Sequence, residues 1–162
     1  KRTVYNHFSS KQALFDAIAV RLVEHARHGS DLPYDPAAAV EAQLGRIAAQ
    51  VLDLFTSPAF ASLARVTLVE LIRSPELGRQ THELFRRSQT GLAHWLEAAE
   101  ADGRLSVGDP VWAADQFLGL IKSFALWPQL LGGQPPPDAA TRDRIIRTTV
   151  AMFLGAYPPR AA

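Results

Sequence analysis

The sequence predicts an all-α fold. Apolar residues recur every three or four positions through most of the chain, and residues that favour helix starts precede several of these stretches. No stretch alternates between apolar and polar residues in the way that a half-buried strand does. The chain has 162 residues, of which 48% are apolar, so it is long enough to bury a core.

Two helices are expected in the first third of the chain. Leu14, Ile18 and Leu22 lie four residues apart, which predicts a helix over 11–28. A second helix is predicted over 36–55, because its apolar residues are spaced four and three apart. These residues are Val40, Leu44, Ile47, Val51 and Leu54.

The next two predicted helices are separated by a Ser-Pro pair. The first, over 58–73, is apolar on almost every side, so we expect other parts of the protein to surround it. Ser74 is a favourable N-cap and Pro75 fits the first helical turn. Together they predict a long helix that reaches about Asp102 and stops at Gly103.

Two more helices are expected at the end of the chain. Asp109 and the proline after it predict a helix that reaches about Trp127, where Pro128 ends or kinks it. The stretch "LLGGQPPPD" is typical of a loop. The last helix is predicted to start at Asp138 and to run to about Ala156.

The composition excludes several classes of protein. The chain has no Cys, which excludes disulfides and thiolate metal sites. No apolar run approaches the roughly 20 residues that cross a bilayer, and no signal-peptide pattern is present, so we expect a cytoplasmic protein without membrane association. The net charge is only +1, but residues 1–28 hold five Lys or Arg against two Asp or Glu. The basic excess therefore lies at the front of the chain.

The chain opens with "KRTVYNHFSSKQALF". Val4 and Phe8 lie four residues apart and can face a core, which leaves a polar, aromatic and basic face on a short helix. Ser9 can cap the following helix, with Gln12 completing a capping box, so two helices meet at a tight turn. Lys11 and the free N–H groups of that first turn suit a phosphate, which is how helix ends commonly contact the DNA backbone.

This opening stretch closely resembles the end of the helix-turn-helix of TetR-family transcriptional regulators. The residues that match the family's pattern in order are Thr3, Val4, Tyr5, His7, Phe8, Ser10, Lys11, Leu14 and Phe15. The resemblance implies that residues 1–8 form most of the recognition helix, which enters the major groove, and that residues 11–28 form the helix linking the DNA-binding and regulatory parts. It also implies that the first part of the helix-turn-helix domain is not in this sequence.

The rest of the chain resembles, more loosely, the C-terminal domain of AefR-like members of that family. The stretches that carry the resemblance are "ARVTLVELIRSPEL" and "GRLSVGDPVWAADQFLGLIKSFALWPQLLG". It implies two parts: the end of the helix-turn-helix domain with the linking helix over 1–28, and a helical effector-binding and dimerisation domain over 29–162. It also implies that the last two long helices pair with those of a second subunit as a four-helix bundle. A pocket for a small effector would lie among the helices before them.

The candidate DNA-contacting residues implied by the resemblance all lie near the start of the chain. They are Lys1, Arg2, Thr3, Tyr5, Asn6, His7 and Lys11. Arg2 and Asn6 are the candidates for base edges, and most of the others would contact phosphates. The alternative is that these side chains form an ordinary solvated helix face.

The candidate effector-binding residues are mostly apolar, as effector sites are, with one carboxylate. They are Phe60, Val66, Glu70, Phe85, Trp95, Phe117, Ile121 and Phe124. The alternatives are that the aromatic residues form plain core and that Glu70 pairs with Arg73 three residues on. The candidate subunit-interface residues are Trp112, Gly119, Ile146, Val150 and Phe153.

The sequence therefore predicts a ligand-responsive transcriptional regulator, a repressor that a small molecule releases from its operator. Its expected partners are double-stranded operator DNA, a largely apolar small effector and a second copy of the chain. No cofactor or metal is expected, and "THELF" lacks the second His of a zinc-protease helix because Arg86 stands there. Two other classes stay open: a helical dimeric interaction module that binds no DNA, and an α-helical enzyme that uses Glu70, His82 or His94 as an acid or base.

Overall fold

The computed structural model describes Ala17 and residues 33–88 and 90–158. All regular structure in these residues is helical, which confirms the predicted all-α fold. The helices are α1 (Val40–Thr56), α2 (Pro58–Arg73), α3 (Pro75–Ser88), α4 (Thr90–Ala101), α5 (Pro110–Ala125), α6 (Trp127–Leu130) and α7 (Ala139–Ala156). Ala17 is also helical, and the rest of the helix predicted over 11–28 lies outside the described residues.

Side-chain caps fix the starts of the last two long helices where the sequence predicts them. The Asp109 carboxylate accepts hydrogen bonds from the backbone N–H groups of Val111 at 3.1 Å and Trp112 at 3.0 Å. The Asp138 carboxylate accepts one from the Thr141 N–H at 2.8 Å. These bonds satisfy N–H groups that have no partner within the helix. The bonds from Thr141 also hold the pKa of the Asp138 carboxyl below its usual range.

Helix α1 begins at Val40, four residues later than the predicted start at Pro36. The side chain of Gln43 explains the difference. Its Oε1 accepts a hydrogen bond from the Asp35 N–H at 2.9 Å, and its Nε2 donates to the carbonyl oxygens of Asp35 at 2.8 Å and Ala38 at 3.1 Å. These three bonds hold the residues before Val40 in a turn, so the backbone there does not continue the helix.

Helices α1 and α2 meet at Ser57. The Ser57 hydroxyl caps α2 by accepting a hydrogen bond from the Phe60 N–H at 3.2 Å. Among the described residues, no single helix is long and apolar enough to span a membrane. The pair α1 and α2 passes that test of length and composition when taken together, with a bend of 65° between them.

Helix α2 is less enclosed than its composition predicts. Its buried residues are Phe60, Ala64 and Thr67, whereas Val66 is 52% exposed and Ile72 is 73% exposed. The prediction that protein surrounds this helix is therefore wrong. The physical reason is that α2 packs against α1, α3 and α6, and these contacts cover one face of it.

The single helix predicted over 75–102 is two helices in the structure, α3 and α4, and residue 89 between them lies outside the described part. Ser74 caps the start of α3 as predicted, since its hydroxyl accepts a hydrogen bond from the Leu77 N–H at 3.4 Å. The end is also as predicted: Gly103 follows α4 with a φ of 70°, a conformation that glycine adopts without strain.

The core is organised around α5, which packs against α1, α4, α6 and α7. Phe117 and Ile121 of α5 are fully buried. The ring of Phe117 meets the ring of Phe153 on α7 edge to face, with 5.2 Å between the ring centres. Such aromatic pairs stabilise a core beyond the area that they bury.

Hydrogen bonds from two other helices hold the end of α1. Arg142 of α7 donates hydrogen bonds to the Asp53 carboxylate and, at 3.2 Å, to the Thr56 hydroxyl at the end of α1. Gln129 of α6 is buried and donates to the carbonyl oxygens of Ala125 and, at 3.3 Å, of Phe55. The end of α1 is therefore held from two sides.

The substitution Phe117→Ala tests this description of the core. We expect it to lower the free energy of unfolding by about 3 to 5 kcal/mol, because it removes a fully buried ring and leaves a cavity. The measurement is urea denaturation followed by circular dichroism. Val69→Ala is the control, since Val69 is 49% exposed and its truncation is expected to change stability by less than about 0.5 kcal/mol. Equal effects of the two substitutions would contradict the placement of α5.

Candidate functional site

An aromatic pair lies between the start of α1 and the end of α4. The rings of Tyr34 and Trp95 meet edge to face, with centres 5.4 Å apart and planes at 78°. The Tyr34 hydroxyl donates a hydrogen bond to the Asp102 carboxylate at 2.5 Å. Arg104 donates to the carbonyl oxygens of Pro36 at 2.8 Å and Ala38 at 3.2 Å. These contacts fasten the segment before α1 to the end of α4.

These contacts link α1 to α4, whereas both helices otherwise pack against α5 more closely than against each other.

Three buried polar atoms have no hydrogen-bond partner among the described residues. They are Gln50 Oε1 on α1, Thr81 Oγ1 on α3 and Trp95 Nε1 on α4. Thr81 and Trp95 are themselves almost wholly buried, at 1% and 3% exposure. Leaving a buried polar group unpaired costs about 1 to 3 kcal/mol, so such groups stand out in a native structure. Nothing in the spacing of Gln50 and Thr81 distinguishes them in the sequence from polar residues at a helix boundary.

The predicted effector-binding residues divide into two groups. Phe60, Trp95, Phe117 and Ile121 all belong to one buried core cluster. Val66 and Phe124 lie on the surface instead, at 52% and 60% exposure.

The last two predicted effector residues, Glu70 and Phe85, belong to neither group. Glu70 is close to Arg73, with 3.9 Å between the carboxylate and the guanidinium, which is the local pair that the sequence offers as the alternative to an effector role. The side chain of Phe85 lies outside the described part of α3.

The predicted subunit-interface residues also divide. Val150 and Phe153 are packed in the core of their own chain, at 4% and 2% exposure, and Ile146 is partly buried against that core. By contrast, Trp112 is 61% exposed, and a Cβ added to Gly119 would meet no atom within 4 Å. The two groups therefore lie on opposite sides of α5 and α7.

Helical periodicity defines the outward side of these two helices. We call it the α5/α7 face: Trp112, Gln116, Gly119 and Ser123 on α5, and Thr148, Ala151 and Gly155 on α7. These residues are exposed except for Gly119, which is partly buried. Most of them are small, so a helix from another molecule could approach this face closely.

The remaining candidate residues lie apart from one another or outside the described part of the chain. In residues 33–88 and 90–158, no group of three or more His, Asp or Glu side chains could hold a metal ion. His82 and His94 are exposed on separate helices. The candidate DNA-contacting residues, Lys1 to Lys11, lie outside the described part of the chain.

The pKa of the Tyr34 hydroxyl gives a test of the aromatic junction. Burial, the hydrogen bond to Asp102 and the charge of that carboxylate together raise this pKa from 10.0 to about 12. The unfolded chain, with an ordinary tyrosine pKa, loses its proton first as the pH rises. The stability that Tyr34 contributes is therefore fully present below about pH 10 and is lost between about pH 10 and about pH 12.

We expect the stability difference between the wild-type protein and Tyr34→Phe to change over that alkaline window. Phe cannot ionise, so the wild-type protein should lose more free energy of unfolding than the variant does between about pH 9 and about pH 11.5. Urea denaturation of both proteins at matched pH values measures this. A difference that stays constant across the window would contradict the bond to Asp102.

Comparison with known proteins places this arrangement in a family. Residues 42–159 match the family described as AefR-like transcriptional repressor, C-terminal domain. The comparison with curated proteins gives no match. Among solved structures, a TetR family transcriptional regulator from Pseudomonas syringae pv. tomato str. DC3000 has a TM-score of 0.80 and 34% identity, over 96% of this chain and 78% of that chain. The Flavonoid-responsive Regulator FrrA has a TM-score of 0.76 and 29% identity, over 99% of this chain and 81% of that chain.

The family match spans well over half of this chain, and the identity with the Pseudomonas syringae regulator extends over nearly all of it. The predicted resemblance is confirmed for the part of the sequence that forms helices α1 to α7. The chain therefore belongs to the TetR family of transcriptional regulators, whose members generally respond to ligands.

Proposed function

We propose that the protein is a transcriptional repressor that binds operator DNA as a homodimer and releases it when a small effector binds between α1 and α4. The observation that carries the proposal is the match of residues 42–159 to the AefR-like repressor domain. The aromatic junction of Tyr34 and Trp95 supports an effector site, because such sites combine apolar walls with a few polar atoms. The similar FrrA protein is named as responsive to flavonoids, which supports an aromatic effector here.

In this proposal the opening stretch contacts DNA. Thr3, Tyr5, His7 and Lys11 position the helix on phosphates, together with Lys1, while Arg2 and Asn6 reach base edges. The dimer presents two recognition helices about 34 Å apart, which matches successive turns of the major groove. The helix predicted over 11–28 connects these contacts to the effector site.

The effector acts by population shift. A ligand that binds more tightly when the distance between the recognition helices does not match the DNA stabilises that arrangement. Operator affinity then falls by the ratio of the ligand's affinities for the two arrangements, and DNA weakens ligand binding by the same factor. Helix α1 is suited to transmit the change, since it borders the effector region and its far end is held by Arg142 and Gln129.

Operator binding tests the proposal in the chain carrying a complete helix-turn-helix domain. We expect the logarithm of the binding constant to fall with the logarithm of salt concentration, with a slope of about 0.9 per phosphate contact. Lys11→Ala should reduce that slope by about one such contact, whereas Glu41→Ala, on the exposed side of α1, should leave it unchanged. A dihydroxyflavone should weaken operator binding at least about tenfold. Fluorescence anisotropy with labelled DNA gives all three quantities.

The same assay separates the other two classes of function. A helical interaction module that binds no DNA would show no salt-dependent binding to any operator. For an enzyme, a pair of convergent acid and base groups is needed. Glu70 lies beside Arg73, and His82 and His94 are exposed on different helices, so these residues offer no such pair within the described part of the chain.

The second subunit contacts the α5/α7 face in our proposal. The small residues of this face allow close helix packing, and Trp112 supplies apolar area at its edge. Trp112 and Gly119 keep the subunit-interface role expected from the sequence. Val150 and Phe153 support the interface from behind, because they hold α7 against the core of their own chain.

We expect Ala151→Glu to shift the protein from dimer to monomer. The substitution places a charge at the centre of the α5/α7 face, where a second subunit would desolvate it. Ala59→Glu is the matched control, since Ala59 is exposed on α2 and away from that face. Multi-angle light scattering at about 10 µM measures the mass of each protein. The proposed interface is rejected if the Ala151 variant stays dimeric or if the wild-type protein is already monomeric.

A further inference from the structure

We propose that the α5 helices of two subunits cross in opposite directions at Gly119, and that Asp115 of each subunit forms a salt bridge with Lys122 of the partner subunit. This inference rests on the proposed dimer through the α5/α7 face. It adds the charged pair that selects a second copy of the chain and sets its orientation. Three features of α5 lead to it: a glycine with open space beside it, an exposed acid before it and a partly buried lysine after it.

Gly119 is a suitable crossing point for two helices. A Cβ added to it would meet no atom of its own chain within 4 Å. The Phe117 and Phe153 rings are in contact, and Gly119 and Ala151 each lie two residues from one of these rings, towards the same end of the α5 and α7 pair. The middle of the α5/α7 face is therefore formed by small residues, and the distance between packed helices decreases when the side chains at the contact are small.

Asp115 and Lys122 flank this crossing point. Asp115 lies four residues before Gly119 and Lys122 lies three residues after it, so helical periodicity places both on the same side of α5. The two are separated by about 10 Å along the helix axis, which is too far for a salt bridge within one helix. None of the salt bridges formed within residues 33–88 and 90–158 involves either side chain.

The surroundings of Lys122 favour a second carboxylate. Burial lowers the pKa of its ammonium below the usual range, and the charge of Asp115 acts in the opposite direction. A desolvated charge is unfavourable unless an opposite charge pairs with it. Arg142, which is also partly buried, has such a partner in the Asp53 carboxylate. A carboxylate from a second subunit would give Lys122 the same kind of partner.

The positions of the two charges select one orientation of the subunits. When two α5 helices cross in opposite directions at Gly119, Asp115 of the partner subunit lies four residues beyond the crossing point. That level is one residue, or about 1.5 Å along the axis, from Lys122. A two-fold axis repeats the contact, so the salt bridge forms twice. If the helices ran in the same direction, Asp115 would face Asp115 of the partner subunit and the two lysines would also meet, which is repulsive.

The experiment measures the dimer dissociation constant of the full chain by analytical ultracentrifugation. Asp115→Lys and Lys122→Asp each place two pairs of like charges in the interface, so each should raise this constant at least about 30-fold. The variant that carries both substitutions should return to within about threefold of wild type. Glu41→Lys and Arg46→Asp, at exposed positions on α1, are the matched controls and should change it less than about twofold.

An equimolar mixture of the Asp115→Lys and Lys122→Asp proteins gives a second readout. Only the mixed dimer brings opposite charges together at both contacts. Native mass spectrometry should therefore find it well above the share of about half that random pairing gives.

A neutral substitution keeps the test decisive if Lys122→Asp fails to fold, which circular dichroism would reveal. Lys122→Met should weaken the wild-type dimer, because it leaves Asp115 of the partner subunit without a cation. The same substitution should strengthen the dimer of the Asp115→Lys protein, because it removes the facing like charge. A purely structural role for Lys122 would change both dimers in the same direction.

Two results would overturn the inference. In the first, the charge variants keep the wild-type dissociation constant although Ala151→Glu produces a monomer. The α5/α7 face is then the interface, but the charged pair does not select the partner. In the second, the wild-type protein is a monomer, and the proposed interface fails together with the pair. Operator binding is measured separately, so the failure of this inference is distinguishable from the failure of the proposed repressor function.

Discussion

The ring of Phe117 meets that of Phe153 at the contact between α5 and α7, and α5 also packs against α1, α4 and α6. Because α5 contacts four other helices, its position constrains how those helices lie. Helices α1 and α4 each pack more closely on α5 than on each other. Helices α5 and α7 also pack together, and each leaves one side exposed. The α5/α7 face is thus a result of this packing arrangement.

Much of this arrangement follows from local sequence patterns. The caps at Asp109 and Asp138 and the glycine after α4 act through bonds within a few residues, so the sequence alone locates them. The Glu70 and Arg73 pair is equally local. By contrast, α2 is apolar on most sides, yet Val66 and Ile72 are exposed, because burial depends on which helices lie nearby. Composition records how apolar a helix is and does not specify its neighbours.

The candidate site shows the same contrast between features that the local sequence locates and features that depend on the fold. Trp95 is recognisable from the sequence as an apolar anchor, since tryptophan is commonly buried. Gln50 and Thr81 cannot be singled out in the sequence, because a buried polar atom without a partner among the described residues becomes visible only in the fold. Val150 and Phe153 have the periodicity of an interface stripe, but the same periodicity describes a helix facing its own core. Only the fold tells these two situations apart.

The bonds from Arg104 to the turn before α1, together with the Tyr34 and Asp102 pair, fix the point at which the chain enters the regulatory core. A helix over 11–28, as the sequence predicts, would end a few residues before this fixed point and begin beside the proposed DNA-contacting stretch. A helix of that length extends about 27 Å, so a rotation of about 5° at the fixed end displaces the distant end by about 2 Å. If the protein acts as proposed, the anchorage at Arg104 would be the pivot of that helix, and the length of the helix would set how far its distant end moves.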